Sequence, residues 1–205
     1  MRTLLVTGGI GSGKSAVCAY LRESGIPVYD SDAAVLRLYD EDPALVPSIE
    51  RLFRLPLRTP DGRLDRKKLA AVIFSDPRRL QELEAVVHPA VLRDFRAWRD
   101  RHADAPFVVM ESAIALDKPL FDGVYDSVLL VTAPEALRLE RACRRDGAAP
   151  EAVLARMRAQ RFDPSRADAV VNNDLDLPTL RRRTDIALKL LSLQPRSATS
   201  ASERT

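Results

Sequence analysis

The 205 residues are 46% hydrophobic and 30% charged, with 32 Lys or Arg against 29 Asp or Glu. This is the balance of a globular chain long enough for one α/β domain with an insertion. No apolar run nears membrane-spanning length and no signal peptide precedes the first strand, so a cytoplasmic protein that engages no membrane is expected. Acidic residues are interspersed among the arginines, which argues against a uniform polyanion-binding surface and hence against a nucleic-acid partner.

In chain order, Leu4-Leu5-Val6 is short and wholly apolar, as a strand buried on both faces requires. It runs into Thr7-Gly8-Gly9-Ile10-Gly11-Ser12-Gly13-Lys14-Ser15, which fits G-x-x-x-x-G-K-[ST], the phosphate-binding P-loop. Ala16 to Glu23 reads as a helix that Gly25 stops. The motif therefore sits between a strand and a helix, where its chemistry needs it. Its glycines let successive backbone N–H groups converge on an anion, and the helix N-terminus adds partial positive charge. Lys14 brings a full charge to the β- and γ-phosphates, and the Ser15 hydroxyl suits Mg²⁺. Gly9, Ile10, Gly11, Ser12, Gly13, Lys14, Ser15 and Ala16 form the expected ATP-binding loop. Cys18 and Cys143 lie far apart without metal spacing and read as small buried residues on helices, suited to a reducing compartment.

Ile26 to Tyr29 is a second strand, ending at Asp30-Ser31-Asp32, and Ala33 to Tyr39 reads as helix. Pro43 to Phe53 is helical, with Leu45, Ile49, Leu52 and Phe53 on one face. Thr59-Pro60-Asp61-Gly62 is a turn. Asp65 can cap a helix to Phe74, and Asp76-Pro77 supplies an N-cap and N1 pair for the next. His88-Pro89 interrupts that helix or begins another ending near His102. This block holds no convincing strand and is too long for a simple crossover, so it reads as a helical insertion.

Phe107 to Met110 is the third strand, ending at Glu111, and Val128 to Val131 is the fourth. A helix from Thr132-Ala133-Pro134 runs through Asp146 to Gly147, and another runs from Pro150 to about Phe162. Ala169 to Val171 is the fifth strand, followed by Asn172-Asn173-Asp174. Pro178 to Leu193 is the last helix, with Leu180, Ala187, Leu190 and Leu191 toward the core, and 195–205 is a polar tail expected to be disordered. Strand–helix alternation around short apolar strands gives an α/β fold with a five-stranded parallel sheet between helices. Ligands bind at the carboxyl ends of such strands.

Those ends carry the remaining candidates. Asp30 and Asp32 could accept a proton from a hydroxyl or hold Mg²⁺ through water, while Ser31 or Asp32 could simply cap the helix. Glu111 is a magnesium-associated carboxylate or a solvated strand end. Arg141 and Arg145 are i, i+4 on one helix face with Arg138, opposite Leu139, Ala142 and Cys143. That face is either a phosphate-facing lid or a solvated surface. His88 reads as a structural residue or a substrate contact.

Taken together these residues resemble the dephospho-CoA kinase family. The Thr-Gly-Gly-Ile-Gly-Ser-Gly-Lys-Ser core is similar to that family's P-loop. Val28-Tyr29-Asp30-Ser31-Asp32 is similar to its Asp-Ala-Asp segment, with Ser31 in place of Ala. Ile73-Phe74, His88-Pro89, Glu111 to Ile114, Arg141, Arg145-Asp146, Gln160 and Val171-Asn172-Asn173 fall in the family's order and approximate spacing. Ala16 stands where a Thr is frequent and Leu175 where a Gly is frequent.

The resemblance implies a nucleotide-binding core over 1–29, 104–133 and 163–194, a helical substrate domain over 30–103 and a lid over 134–162. It implies ATP and Mg²⁺ as cofactors, and phosphorylation of the ribose 3′-hydroxyl of dephospho-CoA. Asp32 would be the base, with Lys14, Arg141 and Arg145 also catalytic. Asp30, His88 and Glu111 would line the acceptor site, and Asn173 would lie by the nucleotide. A monomer or weak homo-oligomer is expected. The alternatives are a kinase for a nucleoside or sugar acid, and a nucleotide-dependent switch; the chain contains no Asn-Lys-x-Asp guanine-reading segment.

Overall fold

The computed structural model of the chain describes residues 1–74, 76–160 and 163–193. The tail expected over 195–205, and Phe162, lie outside them. The chain divides into two compact units, Met1–Tyr29 with His102–Thr205, and Asp30–Arg101.

The first unit is built on a five-stranded all-parallel sheet of β1 (Arg2–Thr7), β2 (Val28–Asp30), β3 (Phe107–Glu111), β4 (Ser127–Thr132) and β5 (Ala169–Asn172). Their order is β2-β3-β1-β4-β5. β1 pairs in parallel with β3 and β4, and β4 with β5. The central strands are buried on both faces, whereas the edge strand β5 alternates buried and exposed. β2 starts two residues later than its apolar run. Pro27 has no N–H to give a ladder, and only its carbonyl is used, accepting from the Val109 N–H at 2.9 Å. β1 is central: the chain goes from it to β2 at one edge, returns to β3 beside it, and then crosses to β4 on its other side. Its carboxyl end is thus the switch point of the sheet, where such folds bind ligands.

Helix α1 (Lys14–Glu23) lays Val17, Cys18 and Leu21 on the sheet beside Leu4, Val6, Val109 and Leu129. Gly25 ends it at φ 78°, with the Gly25 N–H bonded to the Arg22 carbonyl and the Ile26 N–H to the Leu21 carbonyl. That pair of bonds is a Schellman stop.

The second unit holds α2 (Ser31–Glu41), α3 (Leu45–Phe53), α4 (Arg66–Phe74) and α5 (Pro77–Asp100). α5 packs against the other three. Asp65 caps α4 through the Lys68 N–H at 2.9 Å, and Asp76 caps α5 through the Arg78 N–H at 2.9 Å. α5 runs through His88-Pro89 without a break. Pro89 orphans the Ala85 carbonyl, but Ala85 is exposed and water can satisfy it. α3 buries Leu45, Val46, Ile49 and Phe53, which turns Leu52 outward.

Past β4 come α6 (Glu135–Asp146), ended by Gly147 at φ 60°, and α7 (Pro150–Ala159). Ala142, Val153 and Met157 form their shared apolar core, joined by Leu139 and Cys143. The last helix, α8 (Leu177–Leu190), buries Leu180, Thr184, Ala187 and Leu188. This stripe excludes Leu190, which is 75% exposed. Thr184 fits inside it because its hydroxyl donates to the Leu180 carbonyl at 2.9 Å.

Candidate active site

The P-loop leaves β1 at the switch point and enters α1 at Lys14. Gly11 and Gly13 have φ of 75° and 93°, which a side chain would resist. Among the described residues, the N–H groups of Gly11, Gly13 and Ser15 meet no protein acceptor. They remain as open donors of the loop and of the helix start, available to an anion. Lys14 Nζ lies over the same loop, donating to the Gly8 carbonyl at 2.6 Å and the Gly9 carbonyl at 3.4 Å. An ammonium on a flexible four-carbon stem can exchange a loop carbonyl for a phosphate oxygen. Ser15, in the first turn of α1, is exposed.

The two neighbouring strands flank the loop. The register Val6↔Glu111 brings Glu111 alongside the end of β1. Its side chain is 12% exposed, with Arg22 of α1 4.0 Å away. On the other side Thr132↔Asn172 ends the pairing of β4 with β5. Asn173 follows and ties three elements together. Its N–H donates to the Thr132 carbonyl at 2.7 Å, and its Nδ2 to the Ser12 carbonyl at 2.9 Å. Its own carbonyl accepts from Arg141 Nη1 at 2.9 Å.

The three arginines of one helix face part company. Arg141 goes to Asn173, and Arg138 Nε donates to the Ile10 carbonyl at 3.1 Å. Arg145 pairs with Asp146, Nε to Oδ1 at 2.7 Å, and Arg156 reaches the same carboxylate at 2.7 Å. Those two guanidinium bonds, that of Arg145 first, hold the Asp146 carboxyl at about 2, and the same pairing raises the Arg145 pKa. Arg141 and Arg138 therefore reach the residues around the P-loop, while Arg145 is engaged within the α6–α7 pair.

In the helical unit, Asp30 is the N-cap of α2, its Oδ1 accepting from the Ala33 N–H at 2.9 Å. The cap is therefore neither Ser31 nor Asp32. A β-region φ of −92° at Asp30, the last strand residue, provides the geometry. Ser31 is buried, while Asp32 is exposed in the first turn of α2. His88 is half-buried on α5.

Two contacts were not legible in the linear sequence. Gln160 accepts from the Ile10 N–H through Oε1 at 2.7 Å. Arg138, on the face shared with Arg141, reaches the carbonyl of the same residue. The only sequence signal for Gln160 is its place in the resemblance, because 150 residues separate it from Ile10.

Comparison with known proteins covers most of the chain. Residues 3–179 match the family model for dephospho-CoA kinase. A dephospho-CoA kinase of Thermus thermophilus is 41% identical over 190 residues, covering 91% of this chain and 90% of that protein. One from Porphyromonas gingivalis is 40% identical over 169 residues, 82% of each chain. The crystal structure of TT1252 from Thermus thermophilus superposes with a TM-score of 0.77 at 40% identity, covering 93% of this chain and 97% of that one. A dephospho-CoA kinase from Campylobacter jejuni shares the fold, with a TM-score of 0.67 at 20% identity over 94% and 98% of the two chains.

Proposed function

The chain belongs to the dephospho-CoA kinase family, and from that premise we propose that it moves the γ-phosphoryl group of ATP to the ribose 3′-hydroxyl of dephospho-CoA, giving CoA and ADP. The observation that carries this reading is the Gly8–Ser15 nest, with orphan N–H groups and Lys14 Nζ over it, at the switch point of a chain that matches this family.

ATP is the donor. Gly9 to Ala16 would cradle its phosphates, and Lys14 would turn from the Gly8 carbonyl toward the β- and γ-oxygens. Asn173 would lie beside the nucleotide while steadying Ser12. Phosphoryl transfer asks the protein mainly for positioning and for charge stabilisation. Arg141 and Arg145 would supply positive charge as the lid over 134–162 closes, and Arg145 must then leave Asp146.

The donor set fits a magnesium ion that arrives with the nucleotide. The Ser15 hydroxyl is a hard, exposed oxygen, and the described residues contain no group of three or more His, Cys, Asp or Glu able to hold a metal. Mg²⁺ is commonly held by one or two protein oxygens plus phosphates and water. Ser15 would hold it, with Asp30 or Glu111 in support. When bound, it would neutralise charge on the bridged phosphates.

The acceptor would occupy the helical unit over 30–103, with Asp30, His88 and Glu111 among its contacts. A ribose hydroxyl is a weak nucleophile, and Asp32 would accept its proton. Among the described residues no helix is long and apolar enough to cross a membrane. The working form is a cytoplasmic monomer or weak homo-oligomer that engages neither membrane nor nucleic acid. Turnover of an acceptor panel tests the assignment: dephospho-CoA should exceed every nucleoside and sugar acid, and preference for either of those would overturn it.

A further inference from the structure

Ile10, at the crest of the P-loop, is held by the helices over 134–160 through every group it possesses. Its N–H donates to Gln160 Oε1 at 2.7 Å, just past α7. Its carbonyl accepts from Arg138 Nε of α6 at 3.1 Å. Its side chain packs into the apolar cluster of Ala142, Val153 and Met157, which belongs to both helices. The next residue, Gly11, meets the α6 backbone so closely that a Cβ there would lie 2.1 Å from the Arg138 carbonyl oxygen. The Arg138 guanidinium covers Gly9, 3.0 Å from where a Cβ would stand.

These contacts differ from what phosphate binding demands. An anion needs the N–H groups of the loop, yet here an N–H, a carbonyl and an apolar side chain of one residue are all committed to another element. A residue whose N–H and carbonyl are held from two places, by Gln160 just past α7 and by Arg138 of α6, has few ways to move independently of them. We propose that Ile10 is the joint that couples the P-loop to the α6–α7 pair, with Gln160 and Arg138 as positioning residues that hold its two peptide groups. Ordering of the loop by a nucleotide would then order α7, which itself lies beyond the arginines of α6. The coupling runs both ways, so loosening the joint also weakens nucleotide binding. This rests on the reading of Gly8–Ser15 as the nucleotide's phosphate loop.

The test uses the full chain with ADP and Mg²⁺ and reads hydrogen exchange separately over 8–13 and 150–159. In the wild type, ADP should slow exchange in both segments. In Gln160→Ala, affinity for ADP should fall about five- to tenfold, the scale of one lost hydrogen bond. At saturating ADP, 8–13 should remain protected while protection of 150–159 is lost. Ile10→Ala, which keeps both peptide bonds but removes the apolar anchor, should give the same split and serves if Gln160→Ala does not fold. Full protection of 150–159 in a folded variant would overturn the joint, because the nucleotide would then be ordering α7 without Ile10. Protection of 8–13 alone in the wild type would also overturn the joint while leaving the kinase reading intact. Failure of the wild type to bind ADP would overturn both.

Discussion

A Cβ on Gly13 would stand 1.9 Å from Asn173 Nδ2, the atom that donates to the Ser12 carbonyl. The residue after β5 thus fills the space that a side chain in the P-loop would need, and the base of the loop is braced by the sheet edge farthest from β2. Asn173 can brace it only because position 13 lacks a side chain.

Gly13→Ala and Gly147→Ala separate this steric demand from backbone strain. Both positions have positive φ, 93° and 60°, but nothing lies within 4 Å of a Cβ at Gly147. Gly147→Ala should cost only the left-handed penalty, about 1–2 kcal/mol. Gly13→Ala should cost more, because Asn173 must move, and should weaken ADP binding as well. Thermal melts and ADP titration of the two variants check this; equal melting temperatures with intact ADP binding in Gly13→Ala would contradict it.

Lys14→Ala removes the ammonium that bonds the Gly8 carbonyl over the nest. The fold should persist, since the loop keeps its Asn173 and Gln160 bonds. Loss of a preorganised donor to a transferring group typically costs about 10²–10³ in turnover, and a full charge should cost at least that. Circular dichroism together with steady-state turnover checks it, and near-normal turnover in the folded variant is the contrary result.

Asp30 and Asp32 should part under substitution. Asp30→Ala deletes the α2 cap and should cost about 1 kcal/mol of stability, whereas Asp30→Asn keeps the acceptor and most of that stability. Asp32→Asn keeps size but not basicity, and should lower turnover by roughly 10²–10⁴ with little change in ATP affinity. If Asp32→Asn keeps more than about a tenth of the wild-type rate with chemistry limiting, the base lies elsewhere.

The link between α6 and α7 should tolerate acid. Arg145 and Arg156 depress the folded Asp146 carboxyl to about 2 from an ordinary 3.8. A depressed carboxyl contributes stability above its unfolded value, and that contribution is lost as pH falls through the folded one. The link is therefore constant from about pH 7 down to about pH 4 and opens toward about pH 2. An NMR titration of Asp146 should show a midpoint near 2 that rises in Arg156→Gln; a native midpoint near 3.8 would contradict the pairing.

The sheet was readable in the sequence because strands buried on both faces are continuous apolar runs and the P-loop has a fixed spacing. Misjudged details had local causes. Leu190 looks like a core residue by composition, but the 3.6-residue period from Leu180 runs through Thr184, Ala187 and Leu188 and misses it, and the Thr184 hydroxyl is satisfied within the helix. Pro89 looks like a break, yet α5 needs only one exposed carbonyl to pass it. The cap of α2 falls on Asp30 because the helix starts at Ser31, directly after the strand and two residues before the helical run that begins at Ala33. The grip on Ile10 was invisible, since an apolar residue in a glycine loop carries no sign of which distant amide and guanidinium will meet its peptide groups.

The most direct test is the release of ADP with and without dephospho-CoA, with the acceptor product identified by mass. The account predicts that ADP appears only when dephospho-CoA is present, matched one for one by CoA. Hydrolysis of ATP or GTP that ignores dephospho-CoA, or ADP release without CoA, would contradict it.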